Sequence, residues 1–584
     1  MGKLIYFYIA LLLLFTGCSN TEQENSEIEF KTVCNPVDLS YRFCLDQPSR
    51  REAADPSMVL FEGEYYLFLS KSGGYFHSTD LINWDLIKSN DLPVENYAPS
   101  AVVIDSFIYF ITSGDSRIFK TTEPKSGKWQ VAKADFQLTE TDPMLFLDDD
   151  GRLYYYGGCS DTNPIIGVEV DRKTLDIIGS PVPLIRNNKE KFGWEVFSDY
   201  NEELDKNSNP WIEGAWMNKY NGKYYLQYAG PGTELKSYND AVYESNSPLG
   251  PFSPAEHNPF AYKPEGFIAG AGHGSTFEDK YGNFWHIGTG TISKRHKFER
   301  RLSLFPTFFD SDGTMYAYTG FGDYPMIVPD KKITSPDELF PGWMLLSYNK
   351  KVKYSSSLEE YPAENAVDED IRTWWSAKTG NKGEYFSVDL GEACQVFAIQ
   401  VNYADQDAGL FGRNDSIYYQ YTVEHSINGR KWETLIDKSQ NKTEDSPNDY
   451  IQLEQPVKAR YIRINNIRVP SGKFSLSDFR VFGKSSKPSP KDVSSFIIEQ
   501  GTDLRTVKLI WDNIPDATGY NIRFGSEEDK LYQNYIVYDK NEIVIRSLNA
   551  DKSYFFTIDS FNEGGITKGT ARTTKTHYTI EFRM

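Results

Sequence analysis

Cysteine and histidine are scarce in this sequence, with five cysteines and seven histidines among 584 residues. No spacing of these residues matches the pattern of a structural zinc site. Cys34 and Cys44 lie ten positions apart in a loop-like stretch, and they could form a disulfide in an oxidising compartment. Cys159 and Cys394 stand alone in strand-like sequence, so we expect each to be a buried apolar residue.

Positive charge is also in short supply, because 62 lysines and arginines face 82 aspartates and glutamates, for a formal net charge of −20. Such a chain would repel a polyanion, which argues against a nucleic acid as its partner. A neutral polymer remains compatible with this charge. The acidity could equally serve only to keep the protein soluble.

Long hydrophobic runs are absent except near the N-terminus, where an apolar segment extends from Leu4 to Phe15. It is too short to span a bilayer comfortably and is typical of a targeting segment. Together with the small residues before Cys18, it resembles a bacterial lipoprotein signal, which implies lipidation of that cysteine. We therefore predict a signal peptide at residues 1–17 and an acidic tether at residues 18–30. The lipid would anchor the protein in the cell envelope, on the periplasmic side or at the cell surface; an ordinary secretory signal is the alternative.

The chain is too long for one core, so several domains are expected. Aromatic residues are abundant (37 Phe, 39 Tyr and 11 Trp), which favours β-structure. Residues 31–330 contain five repeats, each with an apolar run, a tight turn eight or nine residues after the repeat start, and a second apolar run. The repeats start at Asp55, Ala98, Asp142, Glu213 and His273.

Four short strands per repeat at this spacing predict a five-bladed β-propeller. A propeller places the first strand of every blade beside the central axis, so the repeat starts should converge. Three of these starts are acidic, namely Asp55, Asp142 and Glu213. Glycoside hydrolysis needs one protonated and one ionised carboxyl group, and a third carboxylate can raise the pKa of the acid by repulsion. The alternative is that each Asp-Pro pair merely marks a turn before a strand.

The stretch from about residue 45 to 328 resembles a catalytic domain of glycoside hydrolase family 43. The resemblance rests on Ala54-Asp55-Pro56, Thr141-Asp142-Pro143 and Trp211-Ile212-Glu213-Gly214. It implies that Asp55 is the general base, that Asp142 orients the acid and tunes its pKa, and that Glu213 is the general acid. The family inverts the anomeric centre, which predicts a separation of roughly 6.5–9.5 Å between the carboxyl groups of the base and the acid.

The same resemblance implies further site residues. His273 is similar to a family histidine that holds a cation or water near the axis, so a structural calcium ion in the channel is an option, with no cofactor required. A histidine that is simply hydrogen-bonded in the channel is the alternative. Arg301 resembles an arginine that reaches the sugar, or else belongs to a surface charge pair. Tyr97 stands where many relatives carry tryptophan, and Trp194 lies in a long insertion; both are predicted to contact the substrate.

Two further modules follow the repeats. Residues 345–484 resemble the discoidin or coagulation-factor type C sandwich through Thr373-Trp-Trp-Ser376 and Val388-Asp-Leu-Gly391. Residues 490–584 resemble a fibronectin type III module, which is usually a spacer. The predicted architecture is therefore all-β, a five-bladed β-propeller followed by two β-sandwich modules.

Together these features predict a glycoside hydrolase that acts on plant cell-wall oligo- or polysaccharide. An α-L-arabinofuranosidase or a β-D-xylosidase is the leading hypothesis. A galactan-acting glycosidase is an alternative within the same class. A surface lipoprotein that binds glycans without cleaving them is an alternative from a different class.

Overall fold

The computed structural model describes residues 28–199, 205, 207–570 and 572–575. The predicted signal peptide, Cys18 and residues 18–27 of the predicted tether lie outside this part of the chain. Within the described residues, no helix is both long enough and apolar enough to cross a membrane.

Five four-stranded antiparallel sheets follow a short strand β1 (Thr32–Val33), and in each of them strands adjacent in sequence are neighbours. Their strands are, in chain order, β2 (Ser57–Phe61), β3 (Glu64–Phe68), β4 (Tyr75–Ser78), β5 (Asp85–Ile87), β6 (Ser100–Ile104), β7 (Phe107–Ile111), β8 (Ile118–Thr121), β9 (Gln130–Lys133), β10 (Met144–Leu147), β11 (Leu153–Gly157), β12 (Ile165–Val170), β13 (Ile177–Ile185), β14 (Glu213–Tyr220), β15 (Lys223–Gly230), β16 (Asn239–Ser245), β17 (Ser253–Pro254), β18 (Ala269–Glu278), β19 (Phe284–Thr291), β20 (Arg300–Phe309) and β21 (Met315–Ala317). They form the predicted five-bladed propeller. Strand β22 (Met326–Ile327) pairs with β1.

The turns inside the blades follow from local sequence. Glu62 and Gly63 connect β2 to β3 with φ values of 53° and 80°, and Asn221 and Gly222 connect β14 to β15 with 48° and 81°. Two consecutive positive φ values give a tight turn whose twist matches that of the flanking strands, and glycine adopts them without steric cost. The short hairpins bring the second strand of each blade directly beside the first.

Side-chain hydrogen bonds join the start of one blade to a residue in or just after the second strand of the preceding blade. The backbone N–H of Ala98 in blade two donates to Ser70 Oγ of blade one at 2.7 Å. The ring closes because the N–H of Asp55 in blade one donates to Thr289 Oγ1 of blade five at 3.0 Å. The position of a blade start is therefore set by the blade before it.

The remaining strands form two further antiparallel units, which include an eight-stranded sheet and a pair of sheets with three and five strands. The strands of the middle unit are β23 (Met344–Leu345), β24 (Lys351–Tyr354), β25 (Trp375–Ser376), β26 (Tyr385–Tyr403), β27 (Gln420–Ser426), β28 (Glu433–Asp437), β29 (Asn448–Arg468) and β30 (Ser475–Lys484). Those of the final unit are β31 (Phe496–Gln500), β32 (Val507–Trp511), β33 (Gly519–Gly525), β34 (Gln533–Tyr538), β35 (Glu542–Ile545), β36 (Tyr554–Asn562), β37 (Gly565–Thr567) and β38 (Thr573–Lys575). Short 3-10 helices occur among the described residues at Pro124–Ser126, Gly193–Glu195, Pro336–Leu339 and Ala363–Ala366.

The propeller and the final unit share one hydrophobic core. Trp194 is fully buried in it, stacked on Phe192 with ring centroids 4.8 Å apart, and Leu548 of the final unit belongs to the same cluster. The indole Nε1 of Trp194 donates to Asn549 Oδ1 at 2.8 Å. The prediction that Trp194 contacts the substrate is therefore wrong, because the insertion that carries it packs against the final unit.

The middle unit is attached to the propeller through the buried side chain of Arg51. Its guanidinium forms ion pairs with Asp405 (2.6 Å) and Asp445 (2.9 Å) and lies 4.1 Å from the centre of the Phe43 ring. A buried charge needs such partners, since an unpaired one would be strongly destabilising. These contacts fix the middle unit against the N-terminal segment that leads into blade one.

The predicted disulfide between Cys34 and Cys44 is not formed, and both residues are free thiols with different neighbours. Cys34 Sγ donates to the Asp323 carbonyl at 3.2 Å, whereas Cys44 Sγ donates to Glu52 Oε2 at 3.1 Å. Burial raises the pKa of each thiol to about 12. Cys394 is buried, as its strand-like surroundings predicted.

Candidate active site

Residues at the starts of the blades surround one cavity of about 470 Å³. Asp55, Asp142, Glu213 and His273 all line it, and each belongs to a predicted repeat start. Tyr97, directly before the remaining start, lines the same cavity. The three carboxylates singled out from the sequence therefore face one space, as the propeller geometry requires.

The backbone at these starts adopts the left-handed region, with φ of 53° at Asp55, 57° at Asp142 and 42° at His273. Residues other than glycine seldom do so, and such strain tends to cluster at functional sites. In blade four the left-handed residue is Gly214, with φ of 65°. The prediction that Glu213 shares the register of the other starts is therefore wrong by one residue, and its side chain enters the cavity from the preceding position.

Asp55 is buried among positive and neutral donors. Its Oδ1 lies 3.2 Å from Arg300 Nη1 and 3.4 Å from His273 Nδ1, and Ser70 Oγ donates to Oδ2. Burial alone would raise the pKa of this carboxyl, but the charges of Arg300 and His273 and the Ser70 hydrogen bond outweigh it and lower the pKa. Asp55 is therefore ionised at neutral pH.

Asp142 joins the start of blade three to the start of blade four. Its backbone N–H donates to Ser113 Oγ at 2.8 Å, and its Oδ2 accepts the N–H of Gly214 at 3.3 Å. Ser113 and Gly158 occupy the same register in their blades, because the N–H of each bonds to the carbonyl just before its own blade start. Gly158 has no side-chain hydroxyl that could accept the N–H at the start of blade four. Asp142 Oδ2 accepts that N–H instead, directly beside Glu213.

The same surroundings make Asp142 hard to ionise. Burial is the largest cause, and the charges of Glu213 and Asp55 add to it although His273 opposes them, so that the pKa of Asp142 rises from 3.8 to about 7. Two carboxyl groups in one cavity thus have opposite tendencies, with Asp55 held ionised and Asp142 inclined to hold a proton. Such a divergence of pKa values is typical of acid–base sites.

His273 faces both of these aspartates, with Nδ1 at 3.4 Å from Asp55 and 3.7 Å from Asp142. Burial would lower the pKa of the imidazole, but the surrounding carboxylates outweigh burial and raise it. The carboxylate oxygens around His273 already accept hydrogen bonds from protein donors, which are Arg300, Ser70, Ser113 and the Gly214 N–H. Calcium prefers six to eight oxygen ligands. The described residues around His273 therefore do not fit a calcium ion.

Glu213 begins β14, and both of its carboxyl oxygens have hydrogen-bond donors. The hydroxyl of Tyr238 donates to Oε1, and the thiol of Cys159 donates to Oε2 at 3.0 Å. One ligand atom each from Asp142, Cys159 and Glu213 lie within 4.8 Å of one another. The expectation that Cys159 is a buried apolar residue is wrong, because its thiol is half-buried, lines the cavity and contacts the predicted acid.

The position of Cys159 in its blade is the signal that sequence reasoning missed. It directly follows Gly158, and its counterparts in blades one and two are Lys71 and Gly114, which line the same cavity. The position after the second strand recurs in each blade just as the blade start does, and this periodicity points to Cys159. Tyr238 was missed as well, and the sequence offers no comparable periodic signal for it.

The arginine that reaches the cavity is Arg300 rather than Arg301. Arg300 contacts Asp55 and also donates to Glu52 Oε1 at 2.8 Å and Thr233 Oγ1 at 3.2 Å. The predicted substrate contact by Arg301 is wrong, since successive side chains of a strand point to opposite faces. Its Nε instead donates to Asn448 Oδ1 of the middle unit at 3.1 Å.

Tyr97 lines the cavity, where it was predicted to contact the substrate. The centroid of its ring lies 5.5 Å from the ring centroid of Phe298 and 4.6 Å from Lys71 Nζ. Phe298, which the sequence did not single out, comes from the loop between β19 and β20 and lines the cavity too. The two rings form an aromatic wall beside Arg300.

The fold and this cavity define a hydrolase-type propeller with five blades and three carboxyl groups in one cavity. Comparison with known proteins identifies the family of this domain. Residues 49–315 match the model of glycosyl hydrolases family 43, and residues 351–478 match the F5/8 type C domain. The propeller is thus a family 43 glycosyl hydrolase domain and the middle unit an F5/8 type C domain, which confirms both predictions.

Three curated relatives are similar to part of this chain. A β-D-galactofuranosidase (xynD) of Aspergillus niger is 26% identical over 239 residues, 34% of this chain and 63% of that protein. A xylosidase/arabinosidase 43A of Humicola insolens is 26% identical over 261 residues, 34% of this chain and 78% of that one. An arabinoxylan arabinofuranohydrolase of Paenibacillus polymyxa is 23% identical over 306 residues, 41% of this chain and 45% of that one. The match to the galactofuranosidase thus spans less than two thirds of its length.

Proposed function

We propose that this protein is an inverting glycoside hydrolase that removes arabinofuranosyl or xylosyl residues from plant cell-wall oligo- or polysaccharides. The observation that carries the proposal is the single cavity that holds Asp55, Asp142 and Glu213. Acid–base cleavage of a glycosidic bond requires one ionised and one protonated carboxyl group, and Asp55 is held ionised in this cavity.

Each carboxyl group has a role that its surroundings support. Asp55, kept ionised by Arg300, takes a proton from a water molecule that attacks the anomeric carbon. Glu213 gives its proton to the glycosidic oxygen as the bond between that oxygen and the anomeric carbon breaks. Asp142 orients the acid, because its Oδ2 accepts the N–H of Gly214, the residue directly after Glu213. Attack and departure on opposite faces invert the anomeric centre.

The stereochemical part of this proposal has a direct test. Inversion requires room for a water molecule, which predicts a separation of roughly 6.5–9.5 Å between the Asp55 and Glu213 carboxyl groups. Proton NMR of the first sugar released should show the anomer opposite to that of the substrate. Release of the same anomer would contradict the assignment of Asp55 as a base.

The choice of sugar rests on the names of the relatives. Two of them are named for arabinose or xylose, and the third is a galactofuranosidase. The names galactofuranosidase and arabinofuranohydrolase both specify a sugar with a five-membered ring. We place α-L-arabinofuranoside first and β-D-xyloside second, and we add β-D-galactofuranoside to the panel. The aromatic wall of Tyr97 and Phe298 offers the apolar surface on which a sugar ring can pack.

The activity is tested with 4-nitrophenyl glycosides of these three sugars and with arabinan, xylan and galactan oligosaccharides. Turnover that disappears in Asp55→Asn and Glu213→Gln would support the proposal. Binding of an oligosaccharide without turnover of any substrate would instead favour a glycan-binding surface protein.

We further propose that the protein is a lipoprotein of the cell envelope and that its final unit is a fibronectin type III-like spacer. The first proposal is supported by the apolar run that ends shortly before Cys18, and the second by the two facing sets of strands, β31-β32-β35 and β34-β33-β36. Labelling of bacterial cells with radioactive palmitate should mark the protein, and Cys18→Ala should abolish the label and release it from membranes. Label retained in Cys18→Ala would contradict the anchor.

A further inference from the structure

Both carboxyl oxygens of Glu213 are held by uncharged donors that come from two different blades. Tyr238, whose hydroxyl donates to Oε1, directly precedes β16 of blade four. Cys159, whose thiol donates to Oε2 at 3.0 Å, follows β11 of blade three. The side chain that must deliver a proton is thus fixed from two sides before any substrate arrives.

The two donors differ in how firmly they hold. Tyr238 is fully buried, its carbonyl accepts the N–H of Ala271 at 2.9 Å, and a side chain at Gly272 would meet its ring at 2.8 Å. A hydroxyl is a good hydrogen-bond donor, whereas a thiol is a weak one. Cys159 is half-buried and open to the cavity. Oε2 is therefore the oxygen that can exchange its protein partner for a substrate atom.

On the basis of the function proposed above, we propose that Tyr238 and Cys159 are the positioning residues of the general acid. Tyr238 anchors Oε1 of Glu213, and the Cys159 thiol keeps Oε2 aimed into the cavity while releasing it readily to the glycosidic oxygen. The weak donor at this second position is the feature that suits Glu213 to give up a proton from Oε2.

The proton balance follows from this arrangement. Before cleavage Glu213 carries the proton on Oε2. The proton passes to the glycosidic oxygen as that oxygen leaves the anomeric carbon, and Glu213 remains as a carboxylate. Both neutral donors can then bond to the carboxylate, and a proton from solvent restores the acid after the products leave. A stronger donor beside Oε2 would stabilise the carboxylate and so make the proton leave at lower pH.

The thiol itself stays protonated throughout this cycle, since burial and the nearby Glu213 and Asp142 raise its pKa well above the ordinary value. Other charged and titratable groups interact electrostatically with the acid or with its two donors. They are Asp142, Asp55, His273, Asp240 and Arg300, in addition to Cys159 and Tyr238 themselves. The alkaline limb of the pH–activity profile reflects the coupled titration of this whole cluster. A change in the hydrogen bond to Glu213 Oε2 shifts that limb along the pH axis.

The first test compares Cys159→Ser with Cys159→Ala by the pH profile of kcat/KM. Serine donates more strongly than cysteine, so the alkaline limb should move down by about half a pH unit, and alanine should move it up by a similar amount. Cys394→Ser is the matched control, because that cysteine is buried in the middle unit far along the chain. It should leave the limb unchanged.

The second test varies the leaving group, because a mispositioned acid matters most when the leaving group is poor. Tyr238→Phe should lose at least about tenfold in kcat/KM on a natural disaccharide and far less on a 2,4-dinitrophenyl glycoside. Tyr154→Phe is the matched control, since the Tyr154 hydroxyl is buried without a hydrogen-bond partner among the described residues. It should not discriminate between leaving groups.

Two outcomes would overturn the inference while the proposed function stands. One is an active parent whose alkaline limb stays in place in both Cys159 variants, with melting temperatures that show them to be folded. The other is a Tyr238→Phe variant that loses activity equally on both leaving groups. An inactive parent on every glycoside would instead refute the proposed function.

Discussion

The roles of the adjacent buried arginines Arg300 and Arg301, which the sequence alone does not distinguish, can be distinguished by replacing each with methionine. Arg301→Met is the matched control for Arg300→Met. Both arginines belong to β20 and are almost fully buried. Arg300 Nη1 lies 3.2 Å from Asp55 Oδ1, whereas Arg301 bonds to Asn448 of the middle unit. Only the first substitution should therefore change the chemistry of the cavity.

The magnitude follows from the ion pair. Two unit charges about 4 Å apart attract by about 4 kcal/mol at an effective dielectric constant of 20, and roughly 1.4 kcal/mol corresponds to one pKa unit. Because His273 and Ser70 still favour ionised Asp55 in the variant, we expect its pKa to rise, but by less than the full attraction to Arg300 would imply. The proposed base, Asp55, acts only when it is ionised. The acidic limb of the pH–activity profile should therefore move to higher pH in Arg300→Met.

The assay is the pH dependence of kcat/KM together with thermal melting. Arg300→Met also leaves Glu52 short of a partner, and loss of one member of a buried ion pair costs about 3–5 kcal/mol. Arg300→Lys retains the charge and serves as the variant that keeps the fold. An acidic limb that moves in Arg301→Met, or that stays in place in a folded Arg300→Met, would refute the assignment of Arg300 as the partner of the base.

Three further predictions concern the carboxylates and the buried tryptophan. Asp55→Asn and Glu213→Gln should each lower kcat/KM by about 10²–10⁴, and initial rates within tenfold of the parent would contradict their roles. Since the pKa of Asp142 rises from 3.8 to about 7 on folding, the parent protein loses stability as pH rises through this range. The melting temperature of Asp142→Asn should therefore increase relative to that of the parent over the same range. A difference in melting temperature that does not depend on pH would contradict the shift. Trp194→Ala should lower the free energy of unfolding by about 3–5 kcal/mol, measured by chemical denaturation, and should retain kcat. A selective change of substrate preference in this variant would instead show that Trp194 contributes to the substrate site.

Much of the candidate active site could be predicted because a propeller repeats its geometry. Asp55 and Asp142 are at the same point of the repeat, and their backbones share the left-handed conformation. Once the turns and the apolar runs are aligned, the fold itself brings these positions together. The polar contacts that bias each pKa were beyond prediction, since they come from other blades, as with Arg300 beside Asp55.

The errors in the site have local causes that a repeat cannot reveal. In blade four the pairing of β14 with β15 shifts between Glu213 and Trp216, so the count of residues from start to turn no longer gives the register. A bulge of this kind inserts a residue without changing the apolar pattern. Likewise, the sequence shows two arginines in succession, but only the pairing of β20 with β19 decides which one faces the cavity.

The error at Trp194 has a long-range cause. Its hydrogen-bond partner, Asn549, is 355 residues away in the chain, and the module that carries it resembles a spacer. A sequence pattern indicates that an insertion is long and aromatic, which suits a substrate rim and a module interface equally well. Burial decides between them, and burial depends on how the modules pack.

The packing of the modules also bears on the cavity, because loops that shape it are held by the F5/8 type C domain. Arg295, in the loop that carries Phe298, donates to the carbonyl of Ala404, and its guanidinium lies 5.0 Å from the centre of the Trp374 ring. The same loop continues directly into Arg300 at the start of β20. Contacts of the F5/8 domain thus extend to within a few residues of Arg300, so this domain supports the geometry of the cavity whether or not it binds a sugar.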